Sequence, residues 1–160
     1  HGYRLPTEAE WSYGARVAED GSSRMYPWDS EVYPPPAVVG NYADQQAADL
    51  VTFVLSGYDD GFAVTAQVGS FPPNDKGLYD MSGNVSEWIN DYFEIRPNRG
   101  EPLLDPTGPE SGDRFVIRGA SWSLASRSEL RLAYRNTGRD GNLATGFRIA
   151  RYVDKAMAEP

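Results

Sequence analysis

Turn-forming residues interrupt this chain so often that a single stretch, Thr7 to about Val17 (TEAEWSYGARV), is left to read clearly as helix. Thr7 followed three residues later by Glu10 is a capping box, and Glu8 and Glu10 place negative charge at the positive end of the helix. Its interior is less regular. Ala9, Trp11, Tyr13 and Val17 form an imperfect apolar stripe, and Gly14 weakens the middle. With 16 Gly and 12 Pro in 160 residues, most of the remainder must be turns, while four Trp, ten Tyr and six Phe supply large side chains to bury. These features imply one loop-rich mixed domain and argue against a helical bundle. The length suits one real core and is too short for two.

From Asp20 to Pro36 the chain is rich in Gly, Ser and Pro, so the YPW segment, Tyr26 to Trp28, is expected to anchor an irregular loop by burying its rings. The stretch Ala43 to Val54 has room for a short helix but weak periodicity, which leaves its conformation open. Short apolar runs at Ala63–Phe71, Val85–Ile89, Arg114–Gly119 and Gly146–Tyr152 are bounded by Gly, Pro or Asp, as strands or ordered turns are. There is no internal repeat. The tail after Val153 (DKAMAEP) is expected to be frayed.

Composition removes several function classes. The absence of Cys excludes disulfides, thiolate metal ligands and a thiol nucleophile, and a single His excludes a polyhistidine site. A net charge of −8 argues against a nucleic-acid partner held by general electrostatics. The charge is uneven: residues 1–110 carry 18 acidic and 6 basic side chains, whereas residues 111–160 carry 5 acidic and 9 basic. The two parts can attract each other within one fold, and the acidic part can attract cations. No apolar run approaches the roughly 20 residues that cross a bilayer, so no membrane insertion is expected in this segment. The chain starts at His1 and meets a motif at once, which reads as a fragment or processed product with any targeting segment upstream.

Four segments, in order, carry a family resemblance: YRLPTEAEW (3–11), DDGF with VGSFPPN (59–62 and 68–74), GLYDMSGNVSEW (77–88), and RGASW with GFRIAR (118–122 and 146–151). They cover nearly the whole chain and resemble the formylglycine-generating enzyme, or sulfatase-modifying factor, family. The resemblance implies a loop-rich α+β fold of the C-type-lectin-like kind, with little regular secondary structure. That family's domain has a further amino-terminal section before the RLPTEAEW motif. Residues 1–153 are accordingly expected to be the carboxyl-terminal part of one such domain, 154–160 its frayed tail, and the missing amino-terminal segment a partner.

The same resemblance implies two calcium sites. In GLYDMSGNVSEW, Asp80 and Glu87 would bind through carboxylates and Gly83 and Val85 through carbonyls. Ca²⁺ takes six to eight oxygens of these kinds, and Gly83 lets the chain turn its carbonyl inward. The alternative is an ordered turn with a solvated Asp and Glu. The second site would combine the Asn41 and Asp60 side chains with the carbonyls of Tyr42 and Phe62, and Asp59 would add charge nearby. Here the alternative is a DG turn closed by a buried Phe62. One carboxylate against two implies weaker binding at Asn41/Asp60 than at Asp80/Glu87.

Catalysis fares differently. The family's enzyme oxidises a sulfatase cysteine with a copper-holding cysteine pair after a GGSW-like motif, where this chain reads RGASWSLASRSELRLAYR (118–135). Leu124 or Ala125, and Leu130, stand at the approximate cysteine positions, and neither Leu nor Ala can ligate copper. Formylglycine generation by that chemistry is therefore excluded for this chain. His1 is the only imidazole, so an iron site rich in His is not available, and Ser121, Ser123, Ser126 and Ser128 have no internal His to activate them. Arg118, Arg127, Arg131, Arg135, Arg139 and Arg148 suit an anionic ligand, but pairing with the acidic part of the chain is the weightier reading, above all for Arg148. Ser86 replaces the Trp usual in the family's GNVWEW motif, so peptide recognition does not carry over.

The expected function is a non-catalytic, calcium-stabilised recognition or scaffold domain of a bacterial extracytoplasmic protein, periplasmic or extracellular. A protein, peptide or carbohydrate would be its ligand. The rival is a divergent oxidoreductase working without the cysteine pair, like the family branch associated with pyoverdine maturation. A polar pocket beside Trp122 would favour the rival, and a packed apolar surface around Leu124 and Leu130 would count against it.

Overall fold

A computed structural model describes residues 2–95, 100 and 103–152. The expected tail lies outside the described residues. Helix α1 spans Glu8–Arg16. Thr7 caps it as its sequence predicts: the Thr7 hydroxyl accepts from Glu10 N, and the Glu10 carboxylate accepts from Thr7 N, at 3.2 and 2.8 Å. At the other end Val17 leaves helical geometry with an extended backbone. The irregular stripe resolves into Trp11 and Ala15 facing inward and Tyr13 facing solvent.

Arg4 clamps Glu10 with two bonds of 2.6 Å. This guanidinium, foremost, and the capping bond from Thr7 hold the Glu10 carboxyl near 2, well below its ordinary 4.5. Because the folded value is depressed, the stabilisation is present above pH 4.5 and is lost as pH falls from there towards 2. Glu10 is substantially exposed, so solvent screening keeps the effect modest. Glu10→Gln is expected to flatten the decline of Tm between those two pH values. A decline as steep as in the unaltered chain would contradict the assignment.

Four strands make one sheet in the order β3-β2-β1-β4: β1 Ser86–Tyr92, β2 Phe115–Arg118, β3 Arg135–Gly138 and β4 Thr145–Gly146. The β1–β2 and β2–β3 pairs are antiparallel, while β4 runs parallel to β1 with Glu87 opposite Gly146. The apolar runs at 85–89 and 114–119 thus become the central strands. The run at 146–152 contributes little beyond β4 and an isolated bridge between Arg4 and Ala150.

Ala63–Phe71 forms no strand. Its backbone bonds go largely to side chains instead: the Asn84 amide accepts from Ala66 N and donates to Ala66 O at 2.9 and 3.2 Å, the Asn41 amide donates to Val64 O, and Gly69 N donates to Asp80. Val64 and Val68 consequently stay exposed. In the undecided stretch 43–54 only Gln45–Ala47 is helical, a single 3₁₀ turn capped by the Asp44 carboxylate at Gln46 N.

Two apolar clusters form the core. One packs α1 onto the sheet through Trp11, Ala15, Met81, Ile89, Val116 and Leu132. The other gathers Tyr26, Trp28, Tyr42, Leu55, Tyr58 and Leu130 with smaller residues under the loops. Tyr26 stacks on Trp28 with ring centres 4.5 Å apart, and Trp28 meets Tyr42 edge-on, so the YPW segment does anchor its loop by ring burial. The architecture is α+β with little regular secondary structure. No helix among the described residues is long and apolar enough to cross a membrane.

Candidate metal loops and the former cysteine region

The Asn41 and Asp60 loops are joined by main-chain bonds to carboxylates. Tyr42 N donates to Asp60 Oδ2 at 2.9 Å and Phe62 N to Asp60 Oδ1 at 3.0 Å. Asp60 N in turn donates to the buried Asp44 carboxylate at 2.6 Å. Asn41 is fully buried and its amide donates to Val64 O at 2.7 Å, yet its Oδ1 has no hydrogen-bond partner. A buried acceptor of this kind is costly to leave unsatisfied. Burial, outweighing the bonds from Tyr42 and Phe62 and helped by Asp44 and Asp59, pushes Asp60 up to about 6.

This donor set fits a cation. It offers an amide oxygen lacking a partner and a carboxylate whose charge is disfavoured by its surroundings. Phe62 is 36 % exposed and meets Phe71 edge-on, so it does not close the DG turn as a buried residue. The Asp44 contribution was missed in the sequence. Its signal was present as an acidic residue three positions after Asn41, but its burial was not legible.

The Asp80–Glu87 loop is arranged differently. Gly83 has φ +95°, and a Cβ there would lie 3.0 Å from Asn41 N and O, so glycine is needed both for conformation and for close approach of the two loops. A surface groove of about 490 Å³ is lined by Asp80, Val85, Glu87 and Arg148. Asp80 adopts φ +53° and accepts from Gly69 N at 2.8 Å. Glu87, only 5 % exposed, accepts from Trp11 Nε1 at 2.8 Å and from Arg148 Nε and Nη2, each at 2.6 Å. Arg148 Nη2 also donates to Tyr79 O and Asp80 O. The structure therefore brings Asp80 and Glu87 to one groove but places a guanidinium on Glu87. These residues do not fit calcium while Arg148 holds that carboxylate. Among the described residues no three His, Cys, Asp or Glu side chains converge as a metal group.

At the former cysteine positions the surroundings are apolar. Leu130 is 0 % exposed, Ala125 is buried, and Leu124 packs against the same aromatic cluster. Trp122 Nε1 donates to Leu143 O at 3.4 Å, and the Ser121 and Ser123 hydroxyls bond each other at 3.0 Å. Several arginines pair within the fold. Arg135 holds Glu8 with bonds of 2.7 and 2.8 Å, and Arg139 meets Asp113.

A family model described as the sulfatase-modifying factor enzyme 1-like domain matches residues 1–153. The formylglycine-generating enzyme of Streptomyces coelicolor is 36% identical over 157 residues, covering 96% of this chain and 48% of that protein. The Bos taurus protein named inactive C-alpha-formylglycine-generating enzyme 2 is 33% identical over 158 residues, covering 93% of this chain and 44% of that one. Among solved structures, PvdO of Pseudomonas aeruginosa superposes with a TM-score of 0.68 at 32% identity, covering 94% of this chain and 53% of the other. Treponema denticola variable protein 1 gives 0.72 at 29% identity, with coverage of 94% and 48%. The chain thus spans about half the length of the proteins it matches.

Proposed function

Because the chain belongs to the sulfatase-modifying factor enzyme 1-like family, we propose that it is a non-catalytic recognition or scaffold domain stabilised by calcium at Asn41 and Asp60. The observation that carries the calcium reading is the buried Asn41 Oδ1 without a partner, in a loop whose next residue, Tyr42, bonds the Asp60 carboxylate through its main-chain N–H. The Asn41 and Asp60 side chains and the Tyr42 and Phe62 carbonyls would hold the ion, whose contribution is to cross-link the two loops. In the chain itself, Asp44 positions Asp60 through its main-chain N–H.

The non-catalytic reading is supported by the aliphatic packing at Leu124, Ala125 and Leu130, which leaves the old thiol positions inside the core. The oxidoreductase alternative calls for a polar pocket beside Trp122. That side chain instead bonds a carbonyl, and its neighbour Leu124 turns to the core. A protein, peptide or carbohydrate is the class of ligand proposed, and a segment equivalent to the part of the relatives outside the match a structural partner. Calcium loops with few carboxylates bind in the range of about 10⁻⁴ to 10⁻³ M typical of extracellular modules, which supports a place outside the cytoplasm.

Titration calorimetry of calcium into metal-free protein tests the reading. A binding isotherm is expected for the unaltered chain and its disappearance in Asp60→Asn. Undiminished binding by that variant would contradict the assigned ligand.

A further inference from the structure

We infer that Arg148 is the resident cation of the Asp80–Glu87 loop, so that this loop takes no calcium and the chain binds one ion rather than two. The inference rests on the calcium reading only for that count. Its basis is the set of oxygens the guanidinium gathers: both Glu87 oxygens at 2.6 Å, Tyr79 O at 3.1 Å and Asp80 O at 3.2 Å. A carboxylate together with loop carbonyls is the kind of ligand set that calcium collects. Arginine meets it with directional donors, and its planar fork matches the carboxylate with two parallel bonds.

Two features make this arrangement exclude the metal. The Glu87 charge is already balanced, and Trp11 Nε1 takes a further acceptor site on the oxygen bonded by Arg148 Nε. A divalent ion entering beside Glu87 would face a guanidinium, and removing that guanidinium would break a largely buried pair. The strand supports it as well, because the Glu87–Gly146 pairing fixes the chain two residues before Arg148.

Metal content and melting together decide the matter. Metal-free protein is dialysed to equilibrium against calcium well above the proposed Kd, and the calcium held in excess of the dialysate is counted by elemental mass spectrometry. One calcium per chain is expected, retained in Glu87→Gln and lost in Asp60→Asn. Two ions in the unaltered chain, one of them lost in Glu87→Gln, would overturn the inference and leave the calcium reading standing.

No bound calcium at all would overturn the calcium reading instead, and the role of Arg148 is then read from melting in chelator. There Glu87→Gln and Arg148→Gln are each expected to lower Tm by about 5–10 °C, with the double variant no worse than the poorer single. Failure of a single variant to fold in chelator would be the same result in stronger form. If Glu87→Gln melts like the unaltered chain without calcium, Glu87 has no resident cation and the inference fails.

Discussion

Arg118→Ala should lower Tm by about 10 °C or more, the largest loss expected from any single arginine in the fold. Arg118 ends β2 and is 3 % exposed. Its guanidinium donates to Leu132 O at 2.9 Å, Ala133 O at 3.2 Å and Tyr134 O at 2.9 Å, and so holds the turn that leads into β3. It also reaches Ser12 Oγ and lies 4.9 Å from the centre of the Trp11 ring, tying α1 to the sheet. Burial pulls its pKa down to about 10, which leaves it charged at neutral pH.

Truncation would strand three carbonyls and open a space beneath Trp11, a loss of about 4 kcal/mol. At about 2–4 °C per kcal/mol for a chain of this size, the Tm shift follows. Glu8 contributes less, since it stands 3.6 Å from Arg118 and keeps both bonds from Arg135. Arg118→Lys separates charge from geometry: lysine keeps the charge but not the fork, so most of the loss should persist. A Tm within about 2 °C of the unaltered chain for either variant would contradict the role assigned to the fork.

Leu130→Ala is expected to cost about 3 kcal/mol, or roughly 6–12 °C in Tm. Leu130 has no exposed surface and is buried in the cluster built from Tyr26, Trp28 and Tyr42. Rigid aromatic neighbours cannot close around a shortened side chain, so the cavity remains and adds to the lost transfer energy. Leu130→Met, which nearly conserves volume, should cost under about 1.5 kcal/mol. The contrast bears on function. A position open for chemistry would tolerate both changes alike, whereas a core position discriminates between them. Equal melting of the two variants would argue that the former cysteine region is not packed as described.

How far the sequence reached depended on whether an interaction was local. The α1 cap was legible because Thr7 and Glu10 act on each other within one turn. The central strands showed as apolar runs because both faces of β1 and β2 meet other parts of the fold, and the buried YPW rings followed from aromatic residues among turn formers. The run 63–71 misled because much of its hydrogen bonding goes to the side chains of Asn41, Asp80 and Asn84, partners that periodicity does not reveal. The loop at 43–54 depends on Asp44 reaching Asp60, again across the fold.

The metal loops divide in the same way. Their residues were identified by resemblance, and counting carboxylates made Asp80/Glu87 the stronger pair. Arg148 was expected to pair with an acid, but only the fold brings it to Glu87, 61 positions earlier in the chain. The unpartnered Asn41 oxygen is likewise a property of burial, not of the motif. What separates the loops is the guanidinium on Glu87 and the unpartnered Asn41 oxygen, since Asp60 itself already accepts from Tyr42 N and Phe62 N.

The most direct measurement is a thermal melt of the unaltered chain in a chelator and again in excess calcium. An ion held only by the folded state at about a hundred times its Kd adds about 2.7 kcal/mol, so Tm should rise by about 5–10 °C. Superimposable curves, with no calcium in the purified protein, would contradict a calcium-stabilised domain.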